Sequence, residues 1–218
     1  MTAITNDNIA DSSTGGPARP TRRDFLIVAT TALGAVGAAA VAWPLIDQMN
    51  PDAATLASGE PLDFDLSRIE PGQQIVVMWR ATPIFIINRT DAALKELQTK
   101  EHAALLADPD STTRQQPRYA ENWHRSIKPE YAVLIGICTH LGCIPDFRPN
   151  PVKSTDWPGG YFCPCHGSKY DHAGRVFKAV PAPYNLPVPP YHFPDDKMIR
   201  VGENPPGESF SMTEILQI

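Results

Sequence analysis

Apolar positions fall along this chain in three successive patterns. From residue 25 to residue 46 they run for 22 residues without a charge. A helix of that length, at about 1.5 Å per residue, reaches roughly 33 Å, enough to cross a bilayer. From Pro61 the pattern shortens, and Leu62, Phe64 and Leu66 alternate with polar neighbours as in a strand over 61–69. Beyond the Pro71-Gly72 turn, 74–80 and 83–88 are β-branched or aromatic runs that predict a hairpin or meander. Residues 91–106 carry Leu94, Leu97, Ala104 and Leu105 near helical spacing, which predicts a helix with Thr90 as its N-cap. A polar loop follows over 108–117. An apolar strand is expected at 131–137, with shorter ones at 161–162, 174–177, 186–188 and 198–201. The expectation is a mainly β domain behind one N-terminal transmembrane helix.

The flanks of the long apolar run refine its role. Residues 1–20 are polar and rich in small side chains, a composition of disordered segments. Thr21-Arg22-Arg23-Asp24-Phe25-Leu26 resembles a twin-arginine export motif. The apolar core is long for a cleaved signal peptide and ends in Trp43, Pro44 and Asp47 without a small-residue cleavage site. It therefore reads as a retained anchor over 21–49. Arg19, Arg22 and Arg23 precede it, so the positive-inside bias leaves the N-terminus in the cytoplasm. The twin-arginine route is associated with folded cargo, so a metal group could be installed before export, and an oxidising compartment would then permit a disulfide. Residues 50–61 are small, polar and irregular, and read as a hinge; about 10 residues extended reach roughly 30 Å.

Composition narrows the function. A net charge of -5 on 218 residues argues against nucleic-acid binding, which needs a basic face. The 23 prolines thicken toward the C-terminal half and predict rigid loops between short strands. Four cysteines are too few for a disulfide scaffold. All of them lie in two blocks, Cys138-Thr139-His140-Leu141-Gly142-Cys143 and Cys163-Pro164-Cys165-His166-Gly167-Ser168, each with one histidine. Two thiolates, two imidazoles and a spare thiol pair suit a 2Fe–2S cluster of the Rieske type, with two cysteines on one iron and two histidines on the other. Imidazoles in place of thiolates remove two negative charges and lift the potential into a window of roughly -150 to +300 mV. Their outer nitrogens can couple a proton to the electron. A structural zinc site of Cys2His2 type would leave two cysteines idle, and two plain disulfides would leave both histidines unexplained.

In this order, behind twin arginines, one anchor and a small-residue hinge, and ahead of Pro181-Ala182-Pro183, the two blocks resemble the Rieske iron–sulfur subunits of cytochrome bc1 complexes (ubiquinol–cytochrome c reductases) of bacterial type. The resemblance covers about residues 21–201. It implies an antiparallel β-sandwich over 62–203, a cluster-binding subdomain at about 136–184 and a tail at 204–218. It implies Cys138 and Cys163 on one iron, His140 and His166 on the other, and a Cys143–Cys165 disulfide. The hydroxyls of Ser168 and Tyr170 would hydrogen-bond a bridging sulfide and a cysteine sulfur and raise the potential. Residues 181–183 would cover the cluster from a third side. The implied activity is a translocase step. His166 takes a proton from ubiquinol bound at cytochrome b, with His140 as the second exposed ligand, as one electron enters the cluster. The domain then swings on 50–61 to cytochrome c1, and the proton leaves on the exported side. The implied setting is a dimeric complex in the bacterial inner membrane, with the cluster in the periplasm. A Rieske-type ferredoxin of an oxygenase is the rival, and such ferredoxins lack the second cysteine pair and the anchor.

The chain departs from the family pattern at Val180, where many members have glycine, in an apparent insertion over 148–159, and in a longer 91–125 segment. Lys169 after Ser168 leans toward the bacterial version. His102, His124, His172 and His192 read as surface or structural residues, and Trp79, Trp123 and Trp157 as packing residues.

Overall fold

Thr21 opens the first element with a reciprocal cap. Its hydroxyl accepts the Asp24 N–H at 3.3 Å while the Asp24 carboxylate accepts the Thr21 N–H at 2.9 Å. From there α1, Arg22–Asp47, runs for 26 residues, about 39 Å of helix. Phe25, Leu33 and Trp43 on it are exposed, and none of its side chains is buried among the described residues. The computed structural model describes residues 21–50, 59–151 and 157–217. It divides the chain into two units, 1–51 and 52–218. The expected disordered segment 1–20, most of the expected hinge (51–58), and 152–156 of the apparent insertion lie outside the described residues.

Among the described residues, the second unit is built on three three-stranded antiparallel sheets. In the central one, β3 (Thr82–Asn88) lies between β2 (Gln74–Trp79) and β4 (Tyr131–Ile135), with Ile86 opposite Ile75 and Val133. Ile84, Phe85, Ile86 and Ile87 are all buried. A strand covered on both faces reads as a continuous apolar run, whereas edge strand β2 leaves Val76 and Met78 exposed. A second sheet joins the ends of the domain: β1 (Leu62–Asp65) pairs with β9 (Met198–Val201), which pairs with β8 (Tyr191–His192). The third, β5 (Asp146–Arg148), β6 (Gly160–Phe162) and β7 (Lys169–Tyr170), frames the second cysteine block. The Tyr161 ring stacks on Phe85 at 5.3 Å and fastens this sheet to the core.

Several expected elements take a different form. The single helix over 91–106 is two, α2 (Asp91–Leu97) and α3 (Lys100–Leu105). Thr90 caps the first as expected, and Thr99 caps the second by accepting the His102 N–H at 3.2 Å. A threonine hydroxyl offers the backbone a local partner that competes with helix continuation. The strand expected over 61–69 stops at Asp65, whose carboxylate caps a 3-10 turn, Leu66–Arg68. Residues 174–177 contribute isolated bridges, Tyr170 with Val176 and Leu106 with Phe177. Residues 186–188 are buried without forming a strand, because Pro187 and Pro189 cannot donate to a ladder. The tail folds onto the domain: Met212 and Ile215 pack against the core, and Gln115 Nε2 donates to the Gln217 carbonyl at 3.0 Å.

Candidate metal centre

Two loops with one backbone plan carry the seven sequence-predicted side chains of the cysteine blocks. In the loop after β4, the Cys138 N–H donates to the Cys143 carbonyl at 2.7 Å and the Gly142 N–H to the Cys138 carbonyl at 3.0 Å. Between β6 and β7, the Cys163 N–H donates to the Ser168 carbonyl at 2.8 Å and the Gly167 N–H to the Cys163 carbonyl at 3.0 Å. Each loop turns back through a glycine in the left-handed region, Gly142 at φ 81° and Gly167 at φ 79°. Cys138 therefore corresponds to Cys163, and Cys143 to Ser168.

The structure brings the thiols and imidazoles together. Cys143 and Cys165 form a disulfide across the two loops, and Cys138 and Cys163 are free and 1% exposed. The sulfurs of Cys143, Cys163 and Cys165 lie within 4.8 Å of one another, but a sulfur already in a disulfide is no thiolate donor, so Cys163 is the available ligand of that group. The His140 and His166 rings meet edge-on, centroids 4.7 Å apart. His166 is exposed; His140 is half-buried, and its Nδ1 is buried without a partner among the described residues.

The electrostatics fit a cationic group among these donors. Burial pushes the Cys163 thiol up, and the neighbouring Cys138 thiol adds to the rise against the N–H groups of Cys165 and His166. Two thiols in one dry pocket resist ionising together unless a cation lies between them. With the orphaned Nδ1 of His140, the free thiol pair makes a donor set suited to a 2Fe–2S cluster.

One neighbouring hydroxyl reaches a cysteine of this set. Tyr170 Oη donates to Cys138 Sγ at 3.2 Å and accepts the Thr139 N–H at 3.2 Å. Burial and the Cys138 sulfur both raise the Tyr170 pKa, so the phenol stays protonated and able to donate. Ser168 Oγ is buried and accepts the Ala182 N–H at 3.0 Å, which holds the Pro181-Ala182-Pro183 segment against the second loop. Thr139 Oγ1 donates to the Tyr184 carbonyl at 2.7 Å. Thr139 and the Ala182 N–H escaped sequence reasoning, since a threonine between cysteine and histidine reads as a spacer and a backbone donor has no sequence signature. A separate cavity of about 490 Å³ between α2 and the residues flanking 152–156 is lined by Arg89, His102 and His172 and touches neither loop. His102, His124 and His172 are buried, His192 is half-buried, and Trp79 and Trp157 pack in the core clusters.

Matched loops of this kind on a small antiparallel β domain define a Rieske iron–sulfur protein. Residues 101–191 match the family model described as Rieske 2Fe–2S domain, and residues 13–52 match the one described as Ubiquitinol-cytochrome C reductase Fe-S subunit TAT signal. The ubiquinol–cytochrome c reductase iron–sulfur subunit of Blastochloris viridis is 52% identical over 188 residues, 85% of this chain and 94% of that protein. The subunit of the same name from Allochromatium vinosum is 46% identical over 186 residues, 84% and 89% of the two chains. A solved chain of a hyperthermophilic respiratory Complex III aligns with a TM-score of 0.44 at 26% identity, covering 78% of this chain and 97% of its own. The chain belongs to the ubiquinol–cytochrome c reductase iron–sulfur subunit family. It is a membrane-anchored electron-transfer subunit whose cofactor is one 2Fe–2S cluster.

Proposed function

We propose that Cys138 and Cys163 hold one iron and His140 and His166 the other, and that the exposed His166 ring receives the quinol. The observation that carries this reading is the contrast between the two imidazoles: His140 buries an Nδ1 that has no partner among the described residues, whereas His166 stands exposed beside it. When bound, the cluster supplies a one-electron acceptor. The chain's own residues do the rest. The outer nitrogen of His166 accepts a hydrogen bond from a quinol hydroxyl and holds the proton that leaves it. Leu141 and Ile144, 72% and 57% exposed, form an apolar rim that seats the tip against cytochrome b and excludes water there. Tyr170 donates to the Cys138 sulfur and Ser168 offers its own proton nearby, so both stabilise added negative charge and raise the potential.

Residues 50–61 act as the hinge between the anchor (21–49) and the domain (62–203), and the domain delivers the electron to cytochrome c1. The first-turn arginines of α1 keep the N-terminus in the cytoplasm of a bacterial inner membrane, so the cluster works in the periplasm and proton release there feeds the gradient. The complex is a dimeric translocase. Membranes carrying His166→Gln test the reading. They should lose quinol-dependent cytochrome c reduction while the protein remains folded and membrane-bound; full activity would contradict it. Prolines placed in 50–61 should slow turnover with the cluster spectrum unchanged, and an unaffected rate would make the segment a passive spacer.

A further inference from the structure

Directly after Tyr170 lies a buried carboxylate that the electron-transfer chemistry does not use. Asp171 is 1% exposed. Its Oδ1 accepts the N–H groups of Ala173 and Arg175, both at 2.8 Å. Its Oδ2 accepts Arg175 Nε at 2.7 Å and pairs with His102 Nε2 at 3.0 Å. Burial alone would raise the Asp171 carboxyl, but the Arg175 charge and the His102 hydrogen bond overcome it and hold the group ionised, well below the usual carboxylate range. An ionised Asp171 only accepts, so Nε2 of His102 carries the proton.

The same cluster ties the turn behind Tyr170 to the helical segment. Arg175 continues to the carbonyls of Leu97 at 3.1 Å and Pro109 at 3.2 Å. His102 stands on α3 with its ring edge-on to Phe177 at 5.7 Å. The seam continues through Ala107 N–H to the Val176 carbonyl and Lys178 N–H to the Leu105 carbonyl, both 2.9 Å. Every partner named on the far side of this seam comes from 97–109.

We infer that His102 is a positioning residue for the electron-transfer site. Through Asp171 it fixes the backbone that aims the Tyr170 hydroxyl at Cys138 Sγ. His102 makes no hydrogen bond to Cys138 or to the ligand histidines among the described residues; it acts on a side chain that donates to Cys138. A hydrogen bond weakens steeply as its distance and angle drift, so a small shift of residues 170–171 reaches the sulfur. The inference rests on the reading that the Tyr170 bond tunes the cluster. A purely electrostatic influence of His102 would also move a potential, but it would do so whether or not Tyr170 carries a hydroxyl.

A double-mutant cycle on the loaded full-length protein separates the two. Midpoint potentials are measured for the wild type, His102→Leu, Tyr170→Phe and the double variant, with cluster content checked by spin integration. His102→Leu should lower the potential by less than Tyr170→Phe does, and should add no shift in the Tyr170→Phe background. His102→Gln, whose amide N–H can still reach Asp171, should restore most of the loss. His102→Phe, a ring without a donor, replaces the leucine variant if that one fails to load. An equal shift from His102→Leu in both backgrounds, or no shift in either, overturns the inference while leaving Tyr170 as the tuning residue. An unchanged potential in Tyr170→Phe overturns the tuning reading itself and the inference with it.

Discussion

The two cysteine loops share a backbone and part company in their side chains. Each opens on a buried free cysteine, closes through the same pair of hydrogen bonds and turns at a left-handed glycine. At the third position one loop has His140 and the other Cys165; at the fourth, Leu141 and His166; at the sixth, Cys143 and Ser168. The shared plan explains why two thiols arrive at one point from segments far apart in sequence. The differences divide the labour. The first loop contributes an inward imidazole, an exposed apolar tip and one half of the disulfide. The second contributes the exposed imidazole, the buried Ser168 hydroxyl and, two residues on, Tyr170. On the proposed ligand assignment, placement of the metal group is a property of the common backbone, while potential and proton chemistry belong to the second loop.

The most severe way to break this equivalence is at the first position. Cys138→Ala and Cys163→Ala should each abolish the cluster, read as complete loss of its visible absorption; a loaded cluster in either variant would mean that the matched cysteines are not matched ligands. Next comes the tie between the loops. Cys143→Ser with Cys165→Ser opens a cross-link of sequence separation 22 and should cost about 3 kcal/mol in chemical denaturation. A loss below ~1 kcal/mol would show that the loops hold each other without it.

Smaller effects sharpen the comparison. Among the described residues, and chain neighbours aside, no atom lies within 4 Å of a Cβ built on Gly142 or Gly167, so alanine at either meets only backbone strain. Each change should cost about 1–2 kcal/mol, by equal amounts; a marked inequality in thermal unfolding would show that the two turns are not equivalent. The smallest and most asymmetric effect lies in the potential. Removing ~1 kcal/mol of hydrogen bonding to the reduced site by Tyr170→Phe corresponds to about 40 mV for one electron, with Ser168→Ala in the same direction. Leu141→Ala, on the first loop, should leave the potential in place and lower only quinol-dependent cytochrome c reduction. A potential shift in Leu141→Ala matching that of Tyr170→Phe would erase the division between the loops.

How much of this was legible in the sequence depended on whether the signal was local. The anchor, β2, β3, β4 and the Thr90 cap follow from runs and spacings within a few residues, and the structure has them. The break at Thr99 was missed because Leu94, Leu97, Ala104 and Leu105 keep helical spacing across it, and a hydroxyl cap interrupts a helix without disturbing its apolar pattern. Strands β5, β7 and β8 are two or three residues long, too short to display an alternating apolar pattern. The two blocks stood out because rare residue types were concentrated there. The Asp171, Arg175 and His102 cluster did not, since His102 lies 69 residues from Asp171 and each alone resembles an ordinary polar position.

The central claim is that one cysteine and one histidine from each of two matched loops hold the same cluster. Pulsed electron paramagnetic resonance on the reduced full-length protein tests it directly. The account predicts nitrogen couplings from two imidazoles, one from His140 and one from His166. A 2Fe–2S signal without nitrogen coupling, or a silent protein that contains zinc, would contradict it.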